Sequence, residues 1–153
     1  MDKLWAPWRS KFIRCVKKKG CIFCSKQKNA KKNFIIKKSK FSFALLNIYP
    51  YNNGHIMVSP YRHIKDLRGL KDAELLDMMK LVRDMQGLLE DKLNPHGFNI
   101  GINTGEIGGA GYKDHVHIHI VPRWAGDTSF MTVIDDTKVI SQSLDEVYKL
   151  LTK

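Results

Sequence analysis

The sequence predicts an α+β domain, and three observations carry that prediction. Residues 115–124, His-Val-His-Ile-His-Ile-Val-Pro-Arg-Trp, alternate strictly, as they would on a strand whose side chains point to opposite faces every second residue. Residues 71–93 place Leu75, Met79, Val82, Met85, Leu89 and Leu93 at spacings of three and four, which makes one apolar stripe along a helix. Around these two segments lie short apolar runs bounded by Pro, Gly and Asn, the punctuation of antiparallel strands. With 153 residues the chain can bury a core of its own, and it shows no internal repeat and no second domain.

Taken in order, residues 1–14 form an aromatic arm in which Trp5 and Trp8 flank Pro7, a residue that disfavours helix at Ala6. Such an arm is expected to pack onto the domain or onto a neighbouring subunit. Residues 15–32 read as a lysine-rich loop carrying the pair Cys21-Ile-Phe-Cys24. Residues 33–37 and 41–47 read as strands joined by a basic turn. Pro50 and Asn52-Asn53-Gly54 mark the next turn, and residues 55–59 form a strand that Pro60 stops, antiparallel to its predecessor. The principal helix follows, with Asp72 and Glu74 in its first turn, where the helix dipole favours acidic groups, and Asn94-Pro95-His96-Gly97 at its end. Met78, Met79 and Met85 are expected in the core. Residues 98–103 make a short strand that enters a loop with Gly105, Gly108, Gly109 and Gly111. Glycines free a backbone to approach a ligand closely, and the N–H groups of such a loop can cradle phosphate oxygens. The histidine strand begins just after it, residues 125–128 turn, and residues 145–151 form a short helix capped by Ser143 or Asp145.

The composition narrows the partners. A hydrophobic share of 43% and a charged share of 27% are ordinary for a globular protein. No apolar run reaches the ~18 residues of a membrane span, and the first ten residues lack the apolar stretch of a secretory signal, so a cytoplasmic location is expected. The net charge of +11 favours anionic partners such as nucleotides, polyphosphates or nucleic acid. The excess concentrates between Lys11 and Lys40, a stretch without an acidic residue. It reads as an RNA footprint or, with greater weight, as a solvated basic surface. Three cysteines do not make a disulfide framework, and Cys15 stands apart. Cys21 and Cys24 can share a tetrahedral zinc. The candidates for two further ligands are all histidines: His55, His63, His96, His115, His117 and His119.

His115, His117 and His119 on one exposed strand face are about 6.6 Å apart in succession. Such an array can bind an anion, hold a metal or supply a nucleophile. All three would span about 13 Å, too far for one zinc with bonds of ~2.0–2.1 Å, so one terminal histidine with the cysteine pair is the easier metal geometry. A neutral imidazole can attack phosphorus and form a phosphoramidate that a second acceptor cleaves. His117 is best placed, with a neighbour on each side. His119 would contact a phosphate oxygen or the leaving group, a backbone carbonyl or a second imidazole would fix the His117 tautomer, and loop N–H groups would stabilise the transition-state charge.

His115-Val-His117-Ile-His119-Ile-Val-Pro-Arg resembles the signature of the histidine triad (HIT) family. Phe43-Ala-Leu-Leu-Asn47 with Gly54-His55-Ile-Met-Val-Ser-Pro60 resembles the strand–loop–strand that lines its nucleoside pocket. Leu4-Trp5-Ala6-Pro7-Trp8-Arg9, Cys21-Ile-Phe-Cys24, Gly108-Gly-Ala-Gly111 and residues 122–131 extend the resemblance over nearly the whole chain. They point to the branch related to diadenosine tetraphosphate phosphorylases and fragile histidine triad hydrolases. The resemblance implies an α+β fold with a five-stranded antiparallel sheet, one long helix and a homodimer. It implies nucleotidyl transfer through His117 with His115 and His119 assisting, a ribose contact from Asn47, and phosphate binding near Asn103, Gly109 and Gly111. It further implies a structural zinc on Cys21, Cys24, His63 and His115. Many members carry Gly-Gln before the triad, where this chain has Gly111-Tyr112-Lys113-Asp114, so Lys113 or a backbone amide is expected to replace that phosphate contact. The leading expectation is an enzyme that cleaves dinucleoside polyphosphates by hydrolysis or phosphorolysis. The alternatives are a nucleoside phosphoramidase and a zinc-stabilised RNA-binding module without catalysis.

Overall fold

The computed structural model describes residues 20–127 and 140–153. The aromatic arm with Trp5 and Trp8, Cys15, and the end of the 122–131 segment lie outside these residues. Five strands, β1 (Ile35–Lys38), β2 (Ser42–Leu46), β3 (Ile56–Pro60), β4 (Gly97–Gly101) and β5 (Ile118–Arg123), form one sheet in the order β1-β2-β3-β5-β4. Every neighbouring pair is antiparallel. Among the described residues the α-helices are α1 (Ile22–Lys26), α2 (Asp72–Leu93) and α3 (Leu144–Leu151), and Leu67–Gly69 make a 3-10 turn.

Alternation on the central strands sorts the core into two layers. Ala44 and Leu46 of β2, Ile56 and Val58 of β3, and Ile118 and Ile120 of β5 meet Met78, Leu81, Val82, Met85 and Leu89 of α2, and Val147 and Leu151 of α3 join them. The opposite layer gathers Phe43, Leu45 and Met57 against Phe23 of α1. His119 sits directly across from Met57 in the β3–β5 register, so the histidines belong to this second layer. Fully burying a Phe such as Phe23 contributes ~1.5–3 kcal/mol to docking this five-residue helix on the sheet.

The long helix begins and ends where the sequence marks it. The Lys71 amide donates to Glu74 Oε2 at 2.8 Å, and Asn94 closes the last turn in the left-handed region at φ 46°. Trp124 Nε1 donates to the carbonyls of Leu93 and Asn94 at 3.3 and 3.2 Å, satisfying acceptors that the helix end leaves open. Arg62 grips Glu74 through Nε and one terminal nitrogen, both at 2.6 Å. Asp77 ties the β1–β2 hairpin to α2 by accepting from the Ser39 and Ser42 hydroxyls, each at 2.6 Å. The C-terminal helix takes Ser143 as its cap, in a reciprocal box with Glu146.

Four expectations are corrected. Met79 is 54% exposed, while Met78 and Leu81 are inside; the buried face centres on residues 78, 82, 85 and 89, and Met79 lies about 100° from Met78 at ~3.6 residues per turn. The cysteine segment is not wholly loop, because residues 22–26 form a turn of helix with Ser25 N on Cys21 O at 3.0 Å. The histidine face is not open: His115, His117 and His119 are 1%, 5% and 9% exposed. The ladder also begins only at Ile118, because β3 pairs with β5 no further than Val58 and beyond it Ser59 reaches Val116 O through its hydroxyl at 3.3 Å. No helix among the described residues is long and apolar enough to cross a membrane.

Candidate functional site

The three histidines leave the sheet core in sequence, and each has a different hydrogen-bond partner. His115 is held by Nε2, which donates to Pro60 O at 3.0 Å. A carbonyl accepts only, so the proton is on Nε2 and the Nδ1 lone pair is free. That lone pair faces Cys21 Sγ at 3.1 Å and Cys24 Sγ at 3.7 Å. His117 is held the other way round. Its Nδ1 donates to the His115 carbonyl at 2.9 Å, which leaves the Nε2 lone pair uncommitted.

His119 takes its tautomer from His55, which the sequence offered as a zinc candidate and not as a partner of the triad. His55 Nδ1 accepts from the Tyr51 amide at 3.1 Å, and an amide N–H cannot accept. The proton of His55 is therefore on Nε2, which donates to His119 Nδ1 at 2.9 Å. His119 then carries its proton on Nε2. Asn47 supports the same assignment, because its Oδ1 accepts from Tyr49 N at 2.9 Å and its Nδ2 faces His55 Nδ1 at 3.3 Å. The pair at the end of the triad thus presents one ring with a bare nitrogen, His117, beside one ring with an N–H, His119. Their centroids are 4.8 Å apart at 69°.

Burial keeps these imidazoles neutral. It pushes His119 and His115 down to about 4 and His55 down to about 3, aided at His55 by the neighbouring His119 and His117. His117 is lowered by burial too, partly offset by its bond to the His115 carbonyl. A cluster of neutral rings in a basic protein suits an anionic ligand, and an unprotonated nitrogen is what nucleophilic attack requires.

The remaining expected site residues fall around this centre. β4 pairs with β5 so that Gly101 faces His119; the loop of residues 102–114 therefore leaves the sheet at His119 and returns at His115. Asn103 Nδ2 donates to Gly109 O across that loop at 3.4 Å. Gly109 has φ +83°, and a Cβ at Gly108 would collide with the Thr104 carbonyl, so glycine is required at both positions. Gly111 lies on the returning limb. Lys113 pairs with Glu106 Oε2 at 3.2 Å, an exposed ion pair worth little by itself. Tyr112 sets its ring edge-on to Phe23, with centroids 6.1 Å apart. Tyr51 covers the other end, 4.7 Å from His55 and 5.7 Å from His119. His96 is not part of the cluster: its Nδ1 accepts from Ala125 N at 2.9 Å.

Cys21, Cys24, His63 and His115 form a separate group whose donor atoms all lie within 4.8 Å of one another. His63 Nδ1 is 3.5 Å from Cys24 Sγ. Tetrahedral zinc with bonds of ~2.0–2.3 Å separates its ligands by about 3.3–3.8 Å, so the donor set and spacing fit a closed Cys₂His₂ site. One helical turn brings the two thiols to the same side of α1, and the Pro60 carbonyl gives His115 the outer-shell partner that aims a metal-ligating imidazole.

An open five-stranded antiparallel sheet with a long helix on one face and alternating histidines on the other is the architecture of histidine triad proteins. Residues 27–126 match the HIT domain family model, and the chain belongs to the HIT family. It is 35% identical over 161 aligned residues to an AP-4-A phosphorylase of Mycobacterium tuberculosis, spanning 99% of this chain and 83% of that protein. It is 37% identical over 92 residues to an asymmetrical bis(5'-nucleosyl)-tetraphosphatase of Schizosaccharomyces pombe, matching 60% of this chain and half of that one. Among solved structures, a Zn-bound histidine triad family protein from Mycobacterium smegmatis superposes with a TM-score of 0.69 at 25% identity, covering 87% of this chain and 91% of that one.

Proposed function

We propose that this protein cleaves dinucleoside polyphosphates of the diadenosine tetraphosphate type through a nucleotidylated His117. The observation that carries the proposal is the tautomer pair: a free Nε2 lone pair on His117 set by the His115 carbonyl, and an Nε2–H on His119 set through His55. The named activities of the two curated relatives support the substrate class.

In this reaction His117 Nε2 attacks a nucleoside 5′-phosphoryl phosphorus. A P–N bond forms, the P–O bond to the departing polyphosphate breaks, and the electron pair leaves on that oxygen. His119 Nε2–H hydrogen-bonds the oxygens on which charge accumulates. His117 Nδ1–H stays on the His115 carbonyl, which stabilises the ring as it becomes positive. Water or inorganic phosphate then attacks the phosphoramidate, breaks the P–N bond and returns His117 to its neutral form. Asn47, Asn103, Gly109, Gly111 and Lys113 are assigned to nucleotide and phosphate contacts, with Lys113 exchanging Glu106 for a phosphate oxygen. Positioning and fixed dipoles supply most of the catalysis in such phosphoryl chemistry. Cys21, Cys24, His63 and His115 would hold a zinc ion, which would supply a structural cross-link and no reacting group. A second copy of the chain is assigned to the open side of β4, an edge strand with Ile100 exposed.

The test is a substrate panel of dinucleoside polyphosphates and nucleoside phosphoramidates, run with and without inorganic phosphate. Cleavage of diadenosine tetraphosphate is expected, and it should be abolished by His117→Ala. A protein that cleaves only phosphoramidates, or retains activity in the variant, contradicts the proposal. Phosphate dependence, with ADP among the products, distinguishes phosphorolysis from hydrolysis.

A further inference from the structure

Phe23 lies between the two thiols of the metal group and is 1% exposed. Its ring packs on His117 with centroids 4.7 Å apart at 33°, and on His115 at 5.1 Å. We infer that Phe23 is a positioning residue through which the metal centre sets the orientation of the His117 imidazole. The inference rests on the reading of His117 as the nucleophile.

The geometry supplies the reason. The Nδ1 bond to the His115 carbonyl fixes which nitrogen of His117 carries the proton. One hydrogen bond does not fix the ring against rotation about that bond. Two ring neighbours do: Phe23 at 4.7 Å and His119 at 4.8 Å. Two of these three His117 restraints trace to the metal group. Its carbonyl partner belongs to His115, and Phe23 stands between Cys21 and Cys24 on α1. That helix has five residues and no side-chain cap at its start, too short to persist by its own hydrogen bonds. Burial of Phe23 and ligation by the flanking thiols hold it. Loss of the metal therefore loosens the ring contact and the carbonyl together, and the nucleophile loses its aim while its tautomer partner is still the nearest acceptor. A nucleophile displaced by about 1 Å can cost ~10²-fold in rate.

The experiment uses the full-length zinc-loaded protein and three readouts: zinc content, steady-state kinetics, and ring NMR signals of His117 assigned with His117→Asn. Phe23→Ala is expected to keep about one zinc per chain and an unchanged KM while kcat falls by roughly 10- to 100-fold. The His117 ring protons should lose the shift imposed by the Phe23 ring. Phe23→Leu, which preserves apolar volume, should recover thermal stability but not kcat. Stripping zinc from the wild type with a chelator should reproduce the His117 spectral change without substrate. Wild-type kcat in both variants, a change confined to KM or melting temperature, or His117 signals indifferent to zinc removal would each overturn the inference. If Phe23→Ala does not fold, Phe23→Leu and the chelation arm decide. Activity surviving in His117→Ala would instead remove the nucleophile reading and leave the spectral link between metal group and His117 to stand or fall separately.

Discussion

Two neighbouring histidines of the array, both packed on Phe23, are wired in opposite ways. His115 turns its Nε2 inward to Pro60 and offers Nδ1 to the thiols of Cys21 and Cys24. His117 turns its Nδ1 to the backbone and leaves Nε2 bare. His119 takes a hydrogen bond from His55 and ends with a donor. Three identical side chains at alternate positions thus present a bare Nδ1 to two thiols, a bare Nε2 and an Nε2–H donor. The difference comes from which neighbouring acceptor or donor each ring meets, because a neutral imidazole has one of each and the first bond decides the second. Regular strand spacing alone would have produced three equivalent rings.

The largest separation of roles is expected on direct removal. His117→Ala should lower the turnover of diadenosine tetraphosphate by about 10³-fold or more, whereas the melting temperature should shift little if the cavity closes on Phe23. Equal losses from all three triad alanines would blur the comparison. His55→Ala is predicted to be next, with a kcat loss of roughly 10- to 100-fold. It removes the donor that sets His119, and zinc content should not change. At the metal end, Cys24→Ser should reduce bound zinc to a small fraction and lower the melting temperature, as measured by metal analysis and calorimetry. Its effect on kcat should be smaller than that of His117→Ala, since one thiol is not a reacting group.

Acid should separate the array from the rest of the molecule by a smaller amount. His55 and His119 are held near 3 to 4 in the folded chain by burial, against about 6.5 when unfolded. The unfolded chain therefore binds more protons in this window, and stability falls as pH drops from about 6.5 toward 4. Glu74 is lowered to about 2 by Arg62 and the Lys71 amide, so its contribution is present above about 4.3 and lost only as pH approaches 2. Denaturant midpoints across pH should show two steps. In Glu74→Gln the lower step should shrink while the upper one stays. A single step near 4 in both proteins would show that the histidines titrate as exposed groups.

The sequence made the sheet and long helix legible because both rest on local periodicity. The strand alternation of residues 115–124 and the helical stripe of residues 71–93 each occur within a contiguous stretch, and the structure forms a strand over Ile118–Arg123 and a helix over Asp72–Leu93 within them. Met79 escaped because a stripe read at spacings of three and four leaves the centre of the buried face uncertain by one position, about 100°. The pairing of His55 with His119 and the role of Phe23 escaped for a different reason. The partner of His55 is 64 residues away in the chain, and Phe23 reaches His117 only after α1 folds over the sheet face. Pairing of β3 with β5 and closure of the thiol group bring those residues together, and neither leaves a mark on neighbouring positions. The aromatic residue inside Cys21-Ile-Phe-Cys24, and the histidine opening the strand after Gly54, are the marks that were there to be read.

The most direct test of the central claim is to trap the covalent intermediate. The protein is mixed briefly with diadenosine tetraphosphate without inorganic phosphate, quenched at alkaline pH where phosphoramidates survive, and mapped by peptide mass spectrometry. One AMP adduct on His117, absent in His117→Ala and increased in His119→Ala if the second step slows more than the first, is the predicted result. An adduct on another residue, or turnover with none on His117, would contradict the account.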